Sequence, residues 1–406
     1  MADSERVLIV GGGPVGSVLA LALRQQGIPV LLVEALATPE RECRAASCHP
    51  PTIAMLETLG LLDAGIAQGL VSPVFHYLDR VTGKRVGRFA IAEMQEPPRH
   101  AYVLQWEQYK IAETIVERLA SDPDAEIRLS TRLTAIEQTA DGITAMLTGA
   151  DGTEEKVEAA YLVGCDGGRS TVRKLLGIDF DGYTWPERFL KIDTRYDFAA
   201  LGDAITNRNY FSDPEEWMNL FKARGDDGSG MWRSVSPAKP GQPDDELTSP
   251  EAMEARLQRF CPKPGRYEIV TASLYAVHQR IAATFNQGRV LLAGDAAHVN
   301  NPVGGMGMNG GIHDAVNLAA KLAAIRAGGD ADALLGRYTR QRRKAQVDGV
   351  QAQSVANKQL LGESDPVIRA ARLDEIRRAA GTPALHDAFI RRSCMIDSLA
   401  AAEATP

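Results

Sequence analysis

Three glycines near the start of the chain, Gly11, Gly13 and Gly16, stand at the spacing G-x-G-x-x-G, and an acid, Glu34, follows them. In such a pattern the first glycine permits a tight turn. The second lets backbone approach a pyrophosphate, and the third lets a helix pack closely on a strand. The helix start then offers free N–H groups to the phosphates, and the acid accepts hydrogen bonds from a ribose. The chemistry is dinucleotide binding. The elements that must position these residues are also legible. Val7 to Val10 reads as a buried parallel strand, Pro14 suits a first helical turn, and Gly27 suits a helix C′ position. Val30 to Val33 reads as a second strand, ending on Glu34.

Two later stretches carry further candidates. Tyr161 to Gly177 delivers Asp166-Gly167 from a strand into a short helix that Ser170 is placed to cap. Arg169 and Arg173, on or beside that helix, read either as surface arginines or as phosphate contacts. Gly288 to Leu322 delivers Gly294-Asp295 from a strand at Val290 to Ala293, then a loop holding Pro302, then a helix from about Gly310 to Arg326. Gly305 to Gly310 also fits G-x-G-x-x-G, but no strand leads directly into it and no β-α-β unit follows. Its helix start still favours negative charge.

The bulk properties narrow the class. The chain has 406 residues, 45% hydrophobic and 24% charged, enough for two or three structural units. Net charge is −7 and no basic stripe interleaves with aromatics, which argues against nucleic acid. The opening MADSER is no secretory signal and no apolar run reaches membrane-span length, so a cytoplasmic protein is expected. The five cysteines form no C-x-x-C, and the seven histidines lack a tight metal spacing, so neither a redox cysteine pair nor a metal site is expected. Hydrophobic periodicity predicts helices over 52–62, 108–120 and 250–260, and one long helix over 331–361. Arg337, Arg340, Arg342, Arg343 and Lys344 read as the solvated face of the last. Strands are expected within 73–89, 102–105, 128–138, 143–149, 154–163, 191–198, 209–223, 231–235 and 267–277. The tryptophan-rich region 180–281 carries no nucleotide fingerprint and is the candidate substrate sheet.

The order of the three stretches resembles the class A, single-component FAD-dependent aromatic hydroxylases, the para-hydroxybenzoate hydroxylase family. The likeness covers about residues 5–180 and 285–325. It implies an α/β fold: a Rossmann-like FAD-binding domain with an inserted mixed β-sheet substrate domain and C-terminal helices. Residues 1–72, 104–180 and 283–330 would then hold FAD, 73–103 and 181–282 would form the substrate domain, and 331–406 a helical region. By resemblance, Gly11, Gly13 and Gly16 accommodate the FAD pyrophosphate and Glu34 the adenosine ribose. Arg44 and Gln105 contact the flavin, and Asp295 the ribityl or ribose–phosphate part. Gly307, Met308 and Asn309 offer backbone N–H groups to the flavin pyrimidine edge. Asp166 is implied in both FAD and NAD(P)H binding.

The implied reaction is hydroxylation of a phenolic or heteroaromatic small molecule with NADH or NADPH and O2, through a flavin C4a-hydroperoxide. An epoxidase, ring-opening oxygenase or reductase on the same scaffold is the alternative, and a non-enzymatic FAD-binding module is the third reading. The resemblance places Pro302 beside the flavin. Tyr210 is the candidate phenol-activating residue, with a core tyrosine as the other reading. His278 is a second acid–base candidate, or structural. Tyr210, Trp217, Phe221, Trp232 and Pro302 would line an aromatic pocket. Phe221 and Ala223 loosely match the positions where the para-hydroxybenzoate enzyme holds its substrate carboxylate. That argues against para-hydroxybenzoate unless Lys222 or Arg224 substitutes. The chain resembles the short members, without a thioredoxin-like domain, and is expected to act as a monomer or homodimer on a small aromatic substrate.

Overall fold

Short uncharged runs of valine, leucine and isoleucine have no polar face to show to water, and four of them build the middle of one sheet. The computed structural model describes residues 5–38, 40–41, 45–238 and 241–406. In it Val7–Val10 lies between Tyr161–Gly164 and Val30–Val33, all parallel. Val290–Leu292 and Ala125–Arg128 extend the sheet in the same direction, and Asn286–Gln287 closes it as a sixth, antiparallel strand. Parallel strands end on one edge, so all three motif stretches emerge together. Missing side chains bring them into contact there. A Cβ on Gly11 (φ +110°) would lie 2.4 Å from the Cys165 carbonyl oxygen, and one on Gly16 would lie 2.0 Å from the Gly11 oxygen. A Cβ on Gly311 would lie 2.5 Å from Val15 Cγ2 and 3.1 Å from Gly294 Cα.

The second large sheet has eight strands, in the order His298–Val299, Ile269–Ala282, Phe180–Thr194, Met231–Pro237, Met218–Ala223, Arg208–Ser212, Val74–Asp79, Lys84–Ala90. Side chains alternate between its faces. One face sets Leu190, Ile192, Phe211, Met218, Leu220 and Trp232 against Met253 and Leu257 of the Pro250–Phe260 helix. The other sets Phe75, Tyr77, Phe189, Tyr210 and Trp217 against Leu373, Ile376, Phe389 and Ile390 of the C-terminal helices. This is the expected mixed α/β architecture. No helix of the described residues is long and apolar enough to cross a membrane.

Several elements depart from the sequence expectation. The helix expected over 52–62 is two, Pro50–Thr58 and Leu62–Gln68, broken where Gly60 takes φ +71°. The segments 128–138 and 154–163 each divide between two sheets. Ala125–Arg128 and Tyr161–Gly164 join the parallel sheet, while Arg132–Gln138 and Glu154–Ala159 flank Ile143–Thr148 in a three-stranded antiparallel sheet. Neither division carries a glycine or proline to mark it. The run 209–223 divides at a turn in which Asp213 accepts from the Glu215 and Glu216 N–H groups. The glycine-rich helix begins at Gly307, not Gly310, because packing overrides the poor propensity of its first residues. The long helix is Ala331–Lys344, a π-helical stretch Ala345–Gln351 and Ala352–Leu361.

The basic cluster of that helix is also corrected. Arg342 is only 1% exposed, and its Nε donates to Asp314 Oδ1 at 2.6 Å. Asp314, wholly buried, also accepts from the Gly294 N–H (3.0 Å) and pairs with His298 Nε2 (2.6 Å). Arg342 Nη2 in turn donates to the Gly310 carbonyl. The net effect of His298, Arg342 and their hydrogen bonds holds the Asp314 carboxyl below its ordinary range against the opposing effect of burial. Replacing Asp314 by Asn strands the Arg342 charge in a dry site, which costs about 3–5 kcal/mol. Urea unfolding at neutral pH is expected to show a loss of that size. In the native protein the same stabilisation is complete above about pH 4 and lost as pH falls through the depressed folded pKa. An Asp314→Asn variant as stable as the parent would remove this carboxylate from the account.

Candidate active site

The dinucleotide edge is built first. The helix Pro14–Gln25 begins at Gly13 with no side-chain cap and no acid in its first turn, so its free N–H groups face outward. Glu34 stands beside it, its two oxygens accepting from the N–H groups of Gly12 (2.7 Å) and Leu36 (2.8 Å). Asp295 is exposed at the end of the neighbouring strand. Asp166 is drawn into local work: it accepts from Ser170 Oγ and from the N–H groups of Thr171 and Val172, at the start of the helix Thr171–Leu175. Ser170 caps that helix as expected, accepting from the Arg173 N–H. Arg173 is not a surface residue. It is 5% exposed, lies 3.7 Å over the Phe180 ring, and donates to the carbonyls of Ala296 and Gly168. It therefore clamps the Asp166 and Asp295 turns together, whereas Arg169 is exposed.

A second group forms where the helix Gly307–Arg326 begins. The Asn309 side chain is fully used: Oδ1 accepts from the His49 N–H (2.8 Å) and Thr52 Oγ1 (2.6 Å), and Nδ2 donates to the carbonyls of Ser47 and Gly305. Its backbone N–H, with those of Gly307 and Met308, lies in the first turn and has no intrahelical acceptor. Gln105 is wholly buried nearby; its Oε1 accepts from Ser47 Oγ, and its Nε2 has no partner among the described residues. His49 is also wholly buried, and neither ring nitrogen makes a hydrogen bond of good geometry. Pro302 is half-buried, and its carbonyl accepts from the Gly305 N–H in a turn. Arg44 falls outside the described residues.

The third group surrounds a small cavity of about 10 Å³, room for about one water, on the C-terminal-helix face of the large sheet. Phe75, Tyr77, Arg208 and Tyr210 line it from the sheet, Gly304 from the Pro302 loop, and Cys394 from the C-terminal region. Tyr210 stacks on Tyr77 with ring centroids 4.9 Å apart, and its hydroxyl accepts from Arg208 Nη2 at 2.8 Å. Tyr210 and the Pro302 loop are thus brought together. Trp217 and Phe221 share the Tyr210 face, Phe221 directly opposite Arg208.

Trp232 does not belong to this group. It lies on the other face, under the Pro250–Phe260 helix, and donates to Asp197. Lys222 turns the same way, to Asp197. His278 is exposed and hydrogen-bonded to Thr184, on the opposite face from Gln279, whose Oε1 accepts from the Asn301 N–H of the Pro302 loop. The period of two explains both misplacements. Arg208, His49 and Cys394 carried no motif, so only their convergence in space reveals them.

The residues fit FAD on two counts. Gln105 Nε2 is an orphaned buried donor, and a Cβ on Gly13 would meet nothing within 4 Å, leaving open space before the helix start. Gly13 also has an ordinary extended φ of −69°. A Gly13→Val protein is therefore expected to fold with near-normal stability, within about 0.5 kcal/mol, and to lose FAD, read from thermal melts and bound-flavin absorbance. Retention of FAD would take Gly13 out of the pyrophosphate site. A separate outcome concerns acid. Burial pushes His313 down to about 3, and burial with the Arg208 charge pushes His49 well below the usual histidine value. Both are protonated only after unfolding below about pH 6.5, so stability is full above that pH and falls on acidification. The fall is up to about 1.4 kcal/mol per pH unit for each histidine. Urea midpoints at pH 7 and pH 5 are expected to separate, less so in His313→Gln; equal separations would contradict this origin.

The FAD binding domain family matches residues 4–353. The chain is 34% identical over 399 residues, 98% of its length and 96% of the relative's, to para-nitrophenol 4-monooxygenase of Pseudomonas sp. (strain WBC-3). It is 35% identical over 346 residues to the 3-(3-hydroxy-phenyl)propionate/3-hydroxycinnamic acid hydroxylase of Mycobacterium sp. (strain JLS), covering 83% of this chain but 57% of that one. The crystal structure of p-nitrophenol 4-monooxygenase from Pseudomonas putida DLL-E4 superimposes with a TM-score of 0.91 at 32% identity, covering 98% of both chains. A sheet edge built for a dinucleotide, joined to an aromatic cavity and matched along almost the whole chain, leaves one assignment: this protein belongs to the class A FAD-dependent aromatic hydroxylases.

Proposed function

We propose that the chain hydroxylates a small phenolic ring, consuming NADH or NADPH and O2, at the aromatic face beneath Tyr210, where the side chains move apart to take the ring. The observation that carries the reading is the lining of this small cavity. It is aromatic-walled, carries the charge of Arg208, and is closed on one side by the Gly304 turn next to the helix start at Gly307. Gly11, Gly13, Gly16, Glu34 and Asp295 would hold the adenosine and phosphate half of FAD. Gln105 and the first-turn N–H groups of Gly307, Met308 and Asn309 would hold the flavin half. Bound FAD supplies the electron and oxygen chemistry.

The protein's part is to bind, orient and keep water out. Because the Tyr210 oxygen accepts from Arg208, its proton is free to donate into the cavity, toward a substrate oxygen. Pro302 and Gly305 fix the turn on one side, and Phe75 and Tyr77 give the site its aromatic wall. Asp166 and Arg173 act here by shaping the phosphate edge rather than by touching substrate. A near-full-length relative named for para-nitrophenol makes a substituted phenol the first compound to test.

The purified protein is expected to be yellow, and a phenol that binds is expected to stimulate NAD(P)H oxidation, with a product carrying one added oxygen and an intact ring. Tyr210→Phe is expected to keep FAD but divert NAD(P)H oxidation to hydrogen peroxide. Removing one hydrogen bond to substrate weakens its hold by about tenfold. Product yield per NAD(P)H unchanged in Tyr210→Phe would remove the tyrosine from the reaction.

A further inference from the structure

Arg208 carries a positive charge that no carboxylate among the described residues neutralises. Its side chain is 5% exposed, lines the cavity, lies 5.5 Å over the Phe75 ring and donates to the Tyr210 hydroxyl. Among the described residues no carboxylate pairs with it. The titratable groups that face it are few. Tyr210 shares its strand. Tyr77 comes from the neighbouring strand and Cys394 from the C-terminal region; burial keeps both protonated, pushing Cys394 up to about 11. His49, from the segment packed against the Pro302 loop, is held neutral by burial and by Arg208 itself. Asp79, on the Tyr77 face, is taken up by Arg369, Thr82 and the Val81 N–H.

Two consequences follow. A dry cation without a counter-ion is costly, so a ligand's negative charge interacts more strongly here than anywhere in water. Among the described residues the same surroundings also hold no ionised base that could take a proton from a neutral phenol. We infer that the site around Arg208 opens to a single-ring phenol already ionised in solution, seats its anionic oxygen on Arg208 and the Tyr210 hydroxyl, and so selects acidic phenols instead of ionising neutral ones. The inference rests on the hydroxylase reading above and goes further by naming the charge state of the substrate. A ring-borne carboxylate offers the same anionic chemistry from a different source, and the test separates the two.

The experiment uses the FAD-loaded protein and measures dissociation constants from the change in flavin absorbance, across pH. The probes are 4-nitrophenol, 4-cyanophenol and 4-methylphenol, similar in size and graded in acidity, with 4-nitroanisole as a neutral match and 4-hydroxybenzoate as the carboxylate. Affinity is expected to rise with pH up to each phenol's own ionisation and then level off, and 4-nitroanisole is expected not to compete. Arg208→Met, checked for normal FAD content, is expected to lose about 100-fold in affinity for 4-nitrophenol and to lose the pH dependence. Arg208→Lys, which keeps the charge, is expected to recover part of both and guards against a simple folding defect. Equal binding of 4-methylphenol and 4-nitrophenol at neutral pH, or an Arg208→Met protein that binds 4-nitrophenol normally, would overturn the inference. So would tight 4-hydroxybenzoate binding that tracks carboxylate ionisation alone, since the seat would then be for a carboxylate. If no phenol binds or stimulates NAD(P)H oxidation in the parent protein, the hydroxylase reading fails instead.

Discussion

One buried carboxylate holds the two halves of the cofactor edge in register. Asp314 takes the Gly294 N–H on one side and Arg342 on the other, and Arg342 reaches the Gly310 carbonyl in the first turns of the glycine-rich helix. The turn that would face the phosphate half and the helix start that would face the flavin half are therefore tied through the same atoms. In a dry interior such a network is satisfied completely or is strongly destabilising, which makes its geometry all-or-none. Around it, backbone meets backbone where glycines leave no side chain: Gly11 on Cys165, Gly16 on Gly11, and Gly311 on Gly294. Arg173 adds the third tie, between the Asp166 and Asp295 turns.

The large sheet divides labour by the alternation of its side chains. Its outer face is an ordinary apolar core sealed by the Pro250–Phe260 helix. Its inner face is aromatic and polar together. Directly opposed residues run from Arg208 through Phe221 and Arg233 to Asp193 across four strands. Asp193 and Arg233 neutralise each other through paired hydrogen bonds, both 2% exposed. Arg208, two strands away on the same face, has no such partner among the described residues. The proposed ligand seat rests on this contrast between one paired guanidinium and one without a carboxylate partner among the described residues.

The C-terminal helices have a larger part than their lack of motifs suggests. Phe389 stacks on Phe89 with centroids 4.2 Å apart, and Cys394 forms a wall of the cavity. Removing them would open the aromatic face to water. The π-helical stretch in the preceding helix brings Asn357 to the Val303 carbonyl, so the Pro302 loop is also supported from this side.

Much of the fold was legible because local physics writes it into short windows. The uncharged strands, the Gly13 helix start, the Gly27 terminus, the Ser170 cap and the Pro250–Phe260 helix each depend on residues a few positions apart. Together with the order of the glycine motifs they determine the nucleotide scaffold and its family. Other features depend on partners far along the chain. Whether Arg342 is solvated depends on Asp314, and whether Trp232 or Trp217 faces the cavity depends on which face each strand turns inward. Arg208 is left without a carboxylate partner only because none of the described segments brings one to it. Periodicity decides that side chains alternate, but not which alternate set is covered by a helix and which by a cavity. The amino-acid sequence by itself determined the nucleotide-binding scaffold and the glycines expected to face its phosphates. Only the tertiary structure decided which side chains gather beneath Tyr210 and which charges are paired there, because burial and counter-ions are properties of the packed molecule.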